Sequence, residues 1–256
     1  MMQLEKGVYR VIGTGFYVTR YGLLLTAKHV VEEVADADSD GRATLAWNWT
    51  SSGELFMKPV LTCSFFNEAP RNASDIAVCQ AVDSARDGNI VVKTITERVG
   101  LLPAIPEPNS LIGTYAYPGN ACLDFRDKTK PVSMFADVFE GRMLAVLGPH
   151  DRFLRYEHFE TSIDVRAGAS GGPVFHPSGH ACAVNCRGWD LGSEPGCDPL
   201  SSVVPIAPVL DLRIPMPHMP AGSFESNSVP PDRRNTQVTL RELASWGHLA
   251  LYPVVI

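Results

Sequence analysis

The chain has 256 residues, 45% of them hydrophobic, so it can bury a sizeable core as one large domain or two small ones. A formal net charge of -6, with no basic run interleaved with aromatics, weighs against a nucleic-acid or acidic-membrane partner, since neither offers counter-charge to an acidic surface. No apolar run approaches the roughly 20 residues that a membrane-spanning helix needs. The opening Met1-Met2-Gln3-Leu4-Glu5-Lys6 is not followed by an apolar h-region, so no secretory leader is expected. The cysteines (Cys63, Cys79, Cys122, Cys182, Cys186 and Cys197) are too few and too scattered for a disulfide framework. Reduced thiols in a cytoplasmic protein are the expectation.

Short apolar or alternating runs separated by turn residues fill the first half. Val8 to Ile12 leads through Gly13-Thr14-Gly15 into Phe16-Tyr17-Val18, and Tyr21-Gly22 opens Leu23-Leu24-Leu25-Thr26. Ala43 to Trp49, Val60 to Phe66, Ile76 to Val82 and Ile90 to Ile95 continue the series, each of strand length. Asp36 to Gly41 reads as a solvated acidic loop, and the Pro-rich Leu102 to Pro108 as an interdomain connection. Strand-like runs resume at Leu111 to Tyr117, Val132 to Phe139, Met143 to Leu147, Phe153 to Phe159, Pro173 to Phe175 and Ala181 to Val184. The two sets predict an all-β chain of two antiparallel six-stranded barrels, residues 1–107 and 108–215. Residues 216–256 follow as a linker and a short C-terminal helix. Ser223 to Asn235 is polar and Pro-bearing, and Thr239-Leu240-Arg241-Glu242 has the form of a capping box opening Leu240 to Leu249.

The chemistry starts at Gly168-Ala169-Ser170-Gly171-Gly172-Pro173. A serine hydroxyl is a weak nucleophile at neutral pH. It needs a base in hydrogen-bond reach, a group that orients the base, and donors for the oxyanion that forms. Glycine-rich turns supply such donors, because backbone N–H groups converge where no side chain obstructs them. Taken alone, a serine among glycines is equally well a simple turn. The run also fits the G-x-S-x-G elbow of α/β-hydrolases, but that elbow requires a helix directly after the serine. Gly171-Gly172-Pro173-Val174-Phe175-His176-Pro177 reads as strand instead, and the candidate partners precede the serine. His29 follows the apolar run Leu23 to Thr26, and Asp75 precedes Ile76-Ala77-Val78. Either residue alone is ordinarily structural. In the order His29, Asp75, Ser170 they support one another.

Thr26-Ala27-Lys28-His29, Asp75-Ile76-Ala77-Val78 and Gly168-Ala169-Ser170-Gly171-Gly172-Pro173 resemble the three signature blocks of trypsin/chymotrypsin-like peptidases. Gly13-Thr14-Gly15-Phe16 and Gly113-Thr114-Tyr115-Ala116-Tyr117-Pro118-Gly119 resemble the intracellular and bacterial branches of that family. The resemblance covers roughly residues 8 to 212 and implies a chymotrypsin-like pair of barrels with the active site in the cleft between them. It implies His29 as general base, Asp75 as its orienting acid and Ser170 as the nucleophile of an acyl-enzyme mechanism. The N–H groups of Gly168 and Ser170 would form the oxyanion hole. A protein or peptide would be the substrate, with neither cofactor nor metal.

The sequence also departs from that family. Secreted members carry an acidic residue just before the catalytic serine, to pair with a new N-terminus after cleavage. Here that position is Ala169, and the chain lacks an Ile/Val-Val-Gly-Gly start, so activation by that salt bridge is not expected. A preformed site and one ordered by a regulatory protein partner are the alternatives, and narrow specificity is a further form of restraint. Asp164 falls by spacing where trypsin's basic-selective acid falls, and Asn185-Cys186-Arg187 falls on the family's substrate-pairing strand. Arg187 would neutralise Asp164, plug the pocket or select an acidic or small residue; an exposed salt bridge outside the pocket is the plainer alternative. His176, His180, Cys182 and Cys186 have metal-like spacing, but a strand-turn-strand path need not bring them together, so packed cysteines and surface histidines are expected. The C-terminal helix, carrying Leu243, Trp246 and Leu249, is expected to pack on its own barrel rather than on a partner. The competing reading of the whole chain is a latent or pseudo-peptidase binding module that uses the cleft or the tail for protein recognition. The complete triad is the feature against it.

Overall fold

The computed structural model describes residues 2–5, 7–38, 45–49, 55–66, 74–86, 89–95, 97–117, 122–124, 126, 136–189, 199–234 and 236–253. The chain begins with a hairpin of β1 (Met2–Glu5) and β2 (Val8–Arg10). Five strands make the first lobe: β3 (Gly15–Tyr17), β4 (Leu23–Ala27), β5 (Leu45–Trp49), β6 (Leu55–Phe65) and β7 (Ile76–Ala81). They pair antiparallel in the order β3-β4-β7-β6-β5, and helix α1 (Lys28–Asp38) leaves directly from the end of β4. A small hairpin of β8 (Ser84–Arg86) and β9 (Asn89–Val91) precedes the crossing to the second lobe.

That second lobe is a closed antiparallel barrel. Its strands are β10 (Leu111–Ala116), β12 (Asp137–Leu147), β13 (His158–Thr161), β14 (Pro173–Phe175), β15 (Ala181–Trp189) and β16 (Leu200–Pro205). The intervening β11 (Cys122–Asp124) pairs with β2 instead, which ties the N-terminal hairpin to the second lobe. Past the barrel, β17 (Ile214–Pro215) pairs with β18 (Gln237–Val238), and two short helices follow the barrel, α2 (Phe224–Ser228) and α3 (Leu240–Ser245). No helix among the described residues is long and apolar enough to cross a membrane.

The all-β, two-lobed architecture expected from the sequence is present, with five strands in the first sheet among the described residues. Helical structure extends further than the sequence suggested. Part of the acidic stretch is the last turn of α1, because Val30 and Val31 bury one face of that helix and carry it past Glu33. Ser39 to Gly41, Ala43-Thr44, Pro118-Gly119 and Val132 to Phe135 lie outside the described residues. Strand β16 carries no clear strand signal in the sequence because Ser201 and Ser202 interrupt its apolar pattern. Both serines are fully buried, and their hydroxyls meet Thr161 Oγ1 at 2.7 Å and Trp189 Nε1 at 2.8 Å. The polar stretch from Ser223 holds α2, whose first turn is capped by Ser223 Oγ accepting from the Ser226 N–H.

The core explains why the two lobes hold together. Every residue of β4 and β7 is buried, since these central strands are covered on both faces. One face, formed by Leu24, Ala77, Cys79 and Ala81, clusters with Val31 of α1. The other joins Tyr21, Leu25 and Ile76 to Ala181, Val184 and Val204 of the barrel in a single cluster. Leu240 and Leu243 of α3 enter that same cluster, so the tail packs across both lobes rather than on its own barrel alone. Its capping box is formed, with Thr239 Oγ1 accepting from the Glu242 N–H and Glu242 reaching back to the Thr239 N–H. His248 pins the end of the tail, meeting the Tyr21 hydroxyl at 3.1 Å and the Ser228 hydroxyl at 2.8 Å. Leu243→Ala is therefore expected to lower the unfolding free energy by about 2–5 kcal/mol, read from denaturant melts. A loss below about 0.5 kcal/mol would show that the tail is an appendage.

Candidate active site

Strand pairing brings His29 and Asp75 together. Ala27 at the end of β4 lies opposite Ile76 at the start of β7, so the residues just beyond each strand share one edge. The Lys28 N–H donates to the Asp75 carbonyl at 2.8 Å. The His29 N–H donates to Asp75 Oδ1 at 3.1 Å, and His29 Nδ1 meets Asp75 Oδ2 at 2.7 Å. A carboxylate only accepts, so Nδ1 carries the proton and Nε2 is left as a base. Asp75 is 7% exposed while the His29 side chain is 44% exposed, so the acid is shielded and the ring faces solvent. Burial pulls the His29 pKa down, but the hydrogen bond and charge of Asp75, with Glu32 and Glu33, outweigh it and hold it above the ordinary imidazole value.

Cys186, read from sequence as a packed cysteine, is a direct partner of this pair. Its Sγ donates to Asp75 Oδ2 at 2.9 Å and lies 3.0 Å from the Tyr156 hydroxyl. Burial and the neighbouring Asp75 charge push the Cys186 thiol well above its ordinary pKa, which keeps it a donor. Burial, with Cys186 and Asp75 beside it, raises the Tyr156 phenol too. The Cys186 carbonyl accepts from Ser170 Oγ at 3.2 Å. Cys186 thus touches Asp75 through its side chain and Ser170 through its backbone. Among the described residues, neither Ser170 Oγ nor any other group is hydrogen-bonded to His29 Nε2.

The loop bearing Ser170 is fixed from both lobes. The Ala169 N–H donates to the Arg166 carbonyl at 3.0 Å, closing a turn whose third position, Gly168, has φ 87. That left-handed value marks a type II turn and favours glycine. Thr14 holds the loop from across the cleft: its N–H donates to the Ser170 carbonyl at 2.7 Å and its hydroxyl to the Gly168 carbonyl at 2.9 Å. Gly171, at φ 88, lies so close that a Cβ there would sit 2.1 Å from the Thr14 carbonyl oxygen. Behind the loop, Asn185 is fully buried, and its Nδ2 donates to Thr114 Oγ1 at 2.6 Å and to the Ala169 carbonyl at 3.4 Å. Among the described residues, the N–H groups of Gly168 and Ser170 have no acceptor.

The other sequence candidates have partners of their own. Asp164 takes Arg166 as its partner, with Nε at 2.7 Å and Nη2 at 2.6 Å. Arg187 is exposed, and its guanidinium rests over the Trp189 ring at 4.7 Å. Asn185 serves the loop from inside the barrel. Gly188 abuts the segment before Ser170, and a Cβ there would lie 2.1 Å from the Val165 carbonyl oxygen.

His176, His180, Cys182 and Cys186 are not brought together. Both histidines flank Ser178 Oγ on a surface turn, while Cys182 Sγ donates to the Val174 carbonyl inside the barrel at 3.5 Å. Burial pushes that thiol up to about 12. Cys197 and the Cys122 side chain lie outside the described residues. The ligand atoms of His29, Asp75 and Cys186 do lie within 4.8 Å of one another, close enough to hold a metal ion. In the metal-free protein burial and the Asp75 charge hold the Cys186 thiol well above its ordinary pKa.

The family model for the trypsin-like peptidase domain matches residues 13–184. No curated protein matches the chain. Among solved structures, Deg5 is similar at a TM-score of 0.49 and 16% identity, over 78% of this chain and 81% of that one. The serine endoprotease from Yersinia pestis gives 0.48 and 15%, over 76% and 53% of the two chains. The MamO protease domain from Magnetospirillum magneticum gives 0.47 and 14%, over 78% and 90%.

The His29–Asp75 contact has a direct readout in the proton resonances of the imidazole. His29 is expected to titrate above the ordinary value of about 6.5, and Asp75→Asn to bring it down, because burial then acts with less opposition. An unchanged titration in that variant would contradict the assigned contact.

Proposed function

The chain belongs to the trypsin-like peptidase family, and we propose that it cleaves polypeptides through an acyl-enzyme on Ser170. The observation that carries this reading is the 2.7 Å contact of His29 Nδ1 with Asp75. It leaves Nε2 as a base, and Asp75 is joined through Cys186 to Ser170, whose own N–H and that of Gly168 have no acceptor among the described residues. His29 Nε2 takes the Ser170 hydroxyl proton as Oγ attacks the scissile carbonyl carbon. The N–H groups of Gly168 and Ser170 receive the oxyanion. Protonated His29 then gives its proton to the departing amine as the C–N bond breaks, and water, activated by the same nitrogen, frees the acid from the ester.

The Ser170 hydroxyl rests on the Cys186 carbonyl in the unbound protein. A substrate chain lying along the edge of β15 would bring a backbone N–H to that carbonyl. Strand β14 pairs only with Ala181 to Val184 of β15, which leaves the edge beyond Cys186 for such an addition. Substrate binding then displaces the hydroxyl from its resting acceptor and turns it to His29. This step accounts for a site without zymogen cleavage, consistent with Ala169 beside the nucleophile.

For specificity the reading rests on the close approach of Gly188 to Val165, where a Cβ would lie 2.1 Å from the Val165 carbonyl oxygen. A small residue there is the preferred fit. Asp164 and Arg187 are given no role in this reading, because each has a partner of its own in Arg166 or Trp189.

Digestion of a peptide library, read by mass spectrometry, tests both points. Cleavage after small residues is expected, with an unchanged profile in Asp164→Ala and Arg187→Gly. Asp75→Asn should lower kcat/KM by about 10⁴-fold. Its residual activity should begin at lower pH, because the base must be neutral and its pKa has fallen. Products that persist undiminished in Ser170→Ala would overturn the mechanism, and cleavage confined to Lys or Arg would overturn the specificity.

A further inference from the structure

Strands β6 and β7 pair antiparallel with Cys63 directly opposite Cys79. Directly opposed residues of such a pair keep their Cα atoms roughly 4.5–5.5 Å apart, within the roughly 4.4–6.8 Å that a disulfide spans. The two sulfurs are 2.8 Å apart. Closing to a bond of about 2.05 Å moves them together by less than about 1 Å. The two sites differ in access: Cys63 is exposed, whereas Cys79 is 3% exposed. Cys182 and Cys186 are buried elsewhere, with their sulfurs on the Val174 carbonyl and on Asp75.

We propose that Cys63 and Cys79 form a reversible dithiol–disulfide couple, oxidised by a low-molecular-weight disulfide such as glutathione disulfide. The Cys63 thiolate attacks one sulfur of the small disulfide, making a mixed disulfide and expelling one small thiolate. Cys79 gives up its proton and attacks the Cys63 sulfur, expelling the second. Two protein S–H bonds are replaced by one S–S bond, and two electrons and two protons end on the two released thiols. The order follows from exposure. It also agrees with Cys79 chemistry, since the hydrogen bond with Cys63 and burial both hold the Cys79 thiol above its ordinary pKa.

The bond would fasten β6 to β7, the strand that directly follows Asp75 and pairs on its other side with β4. A covalent link at this position restrains the sheet edge that presents His29 and Asp75.

The test equilibrates the full chain in glutathione buffers from reducing to oxidising, then quenches, alkylates and maps it. Oxidation is expected to remove two alkylation sites and yield a linked peptide pair joining Cys63 to Cys79, with both sites returning on reduction. The link should be lost in Cys63→Ser. A glutathione adduct that stays on Cys63, a link to a different cysteine, or two thiols still fully alkylated in the most oxidising buffer would each overturn the proposal.

Discussion

The groups proposed to react, His29 with Asp75 and Ser170, come from different lobes, so their geometry depends on what fixes one lobe against the other at the cleft. Thr14 does this with four hydrogen bonds. Its N–H holds the Ser170 carbonyl, its hydroxyl holds the Gly168 carbonyl and accepts from the Tyr117 N–H at 3.0 Å, and its own carbonyl is held by Thr26 Oγ1 at 2.6 Å. Thr26 is in β4, the strand that runs into His29. A continuous path of buried contacts therefore leads from the strand presenting the imidazole, through Thr14, to both sides of the serine. Such closeness needs backbone without side chains, and Gly171 provides it on one side. Gly13 provides it on the other, where a Cβ would lie 3.0 Å from the Ser170 carbonyl oxygen. Positioning on this scale matters because misplacement by about 1 Å can cost about 10²-fold in rate.

A second constraint is the buried carboxylate of Asp75. Removing a charge from water is costly unless its acceptors are filled. Asp75 fills them with the His29 N–H, the His29 ring and the Cys186 thiol, and the first of these lies at the N-terminal end of α1, where a negative charge is favoured. The same network acts on the imidazole. It raises the His29 pKa and fixes which ring nitrogen is bare. Cys186 extends the network to Ser170 through its carbonyl, so the serine, the acid and the thiol form one connected unit in the resting state.

Much of this was legible in the residues. Turn-separated apolar runs gave the all-β class and the two lobes, and the capping box at Thr239 predicted α3. His29 and Asp75 were legible from the apolar runs they flank and from their order before Ser170, and the pairing of β4 with β7 is what brings them together. Other features depended on contacts between residues far apart in sequence. Cys186 reads as an ordinary core residue until β15 is placed beside Asp75. Its signal, a polarisable donor on the predicted substrate strand, was too weak to separate from packing. Thr14 was visible only as part of a glycine motif. Asp164 and Arg187 were paired by spacing, yet a nearer partner, Arg166, and a neighbouring ring, Trp189, take them. Local competition of this kind has no signature in spacing alone. Strand β16 was hidden because serines with buried partners break the apolar pattern.

The central claim is that Ser170 is a nucleophile activated by His29. The most direct measurement is the rate of labelling by a fluorophosphonate probe as a function of pH, with the adduct located by peptide mapping. The account predicts a single adduct on Ser170 that forms faster as pH rises through the elevated His29 pKa, and no adduct in Ser170→Ala. An adduct on another residue, or none at any pH, would contradict it.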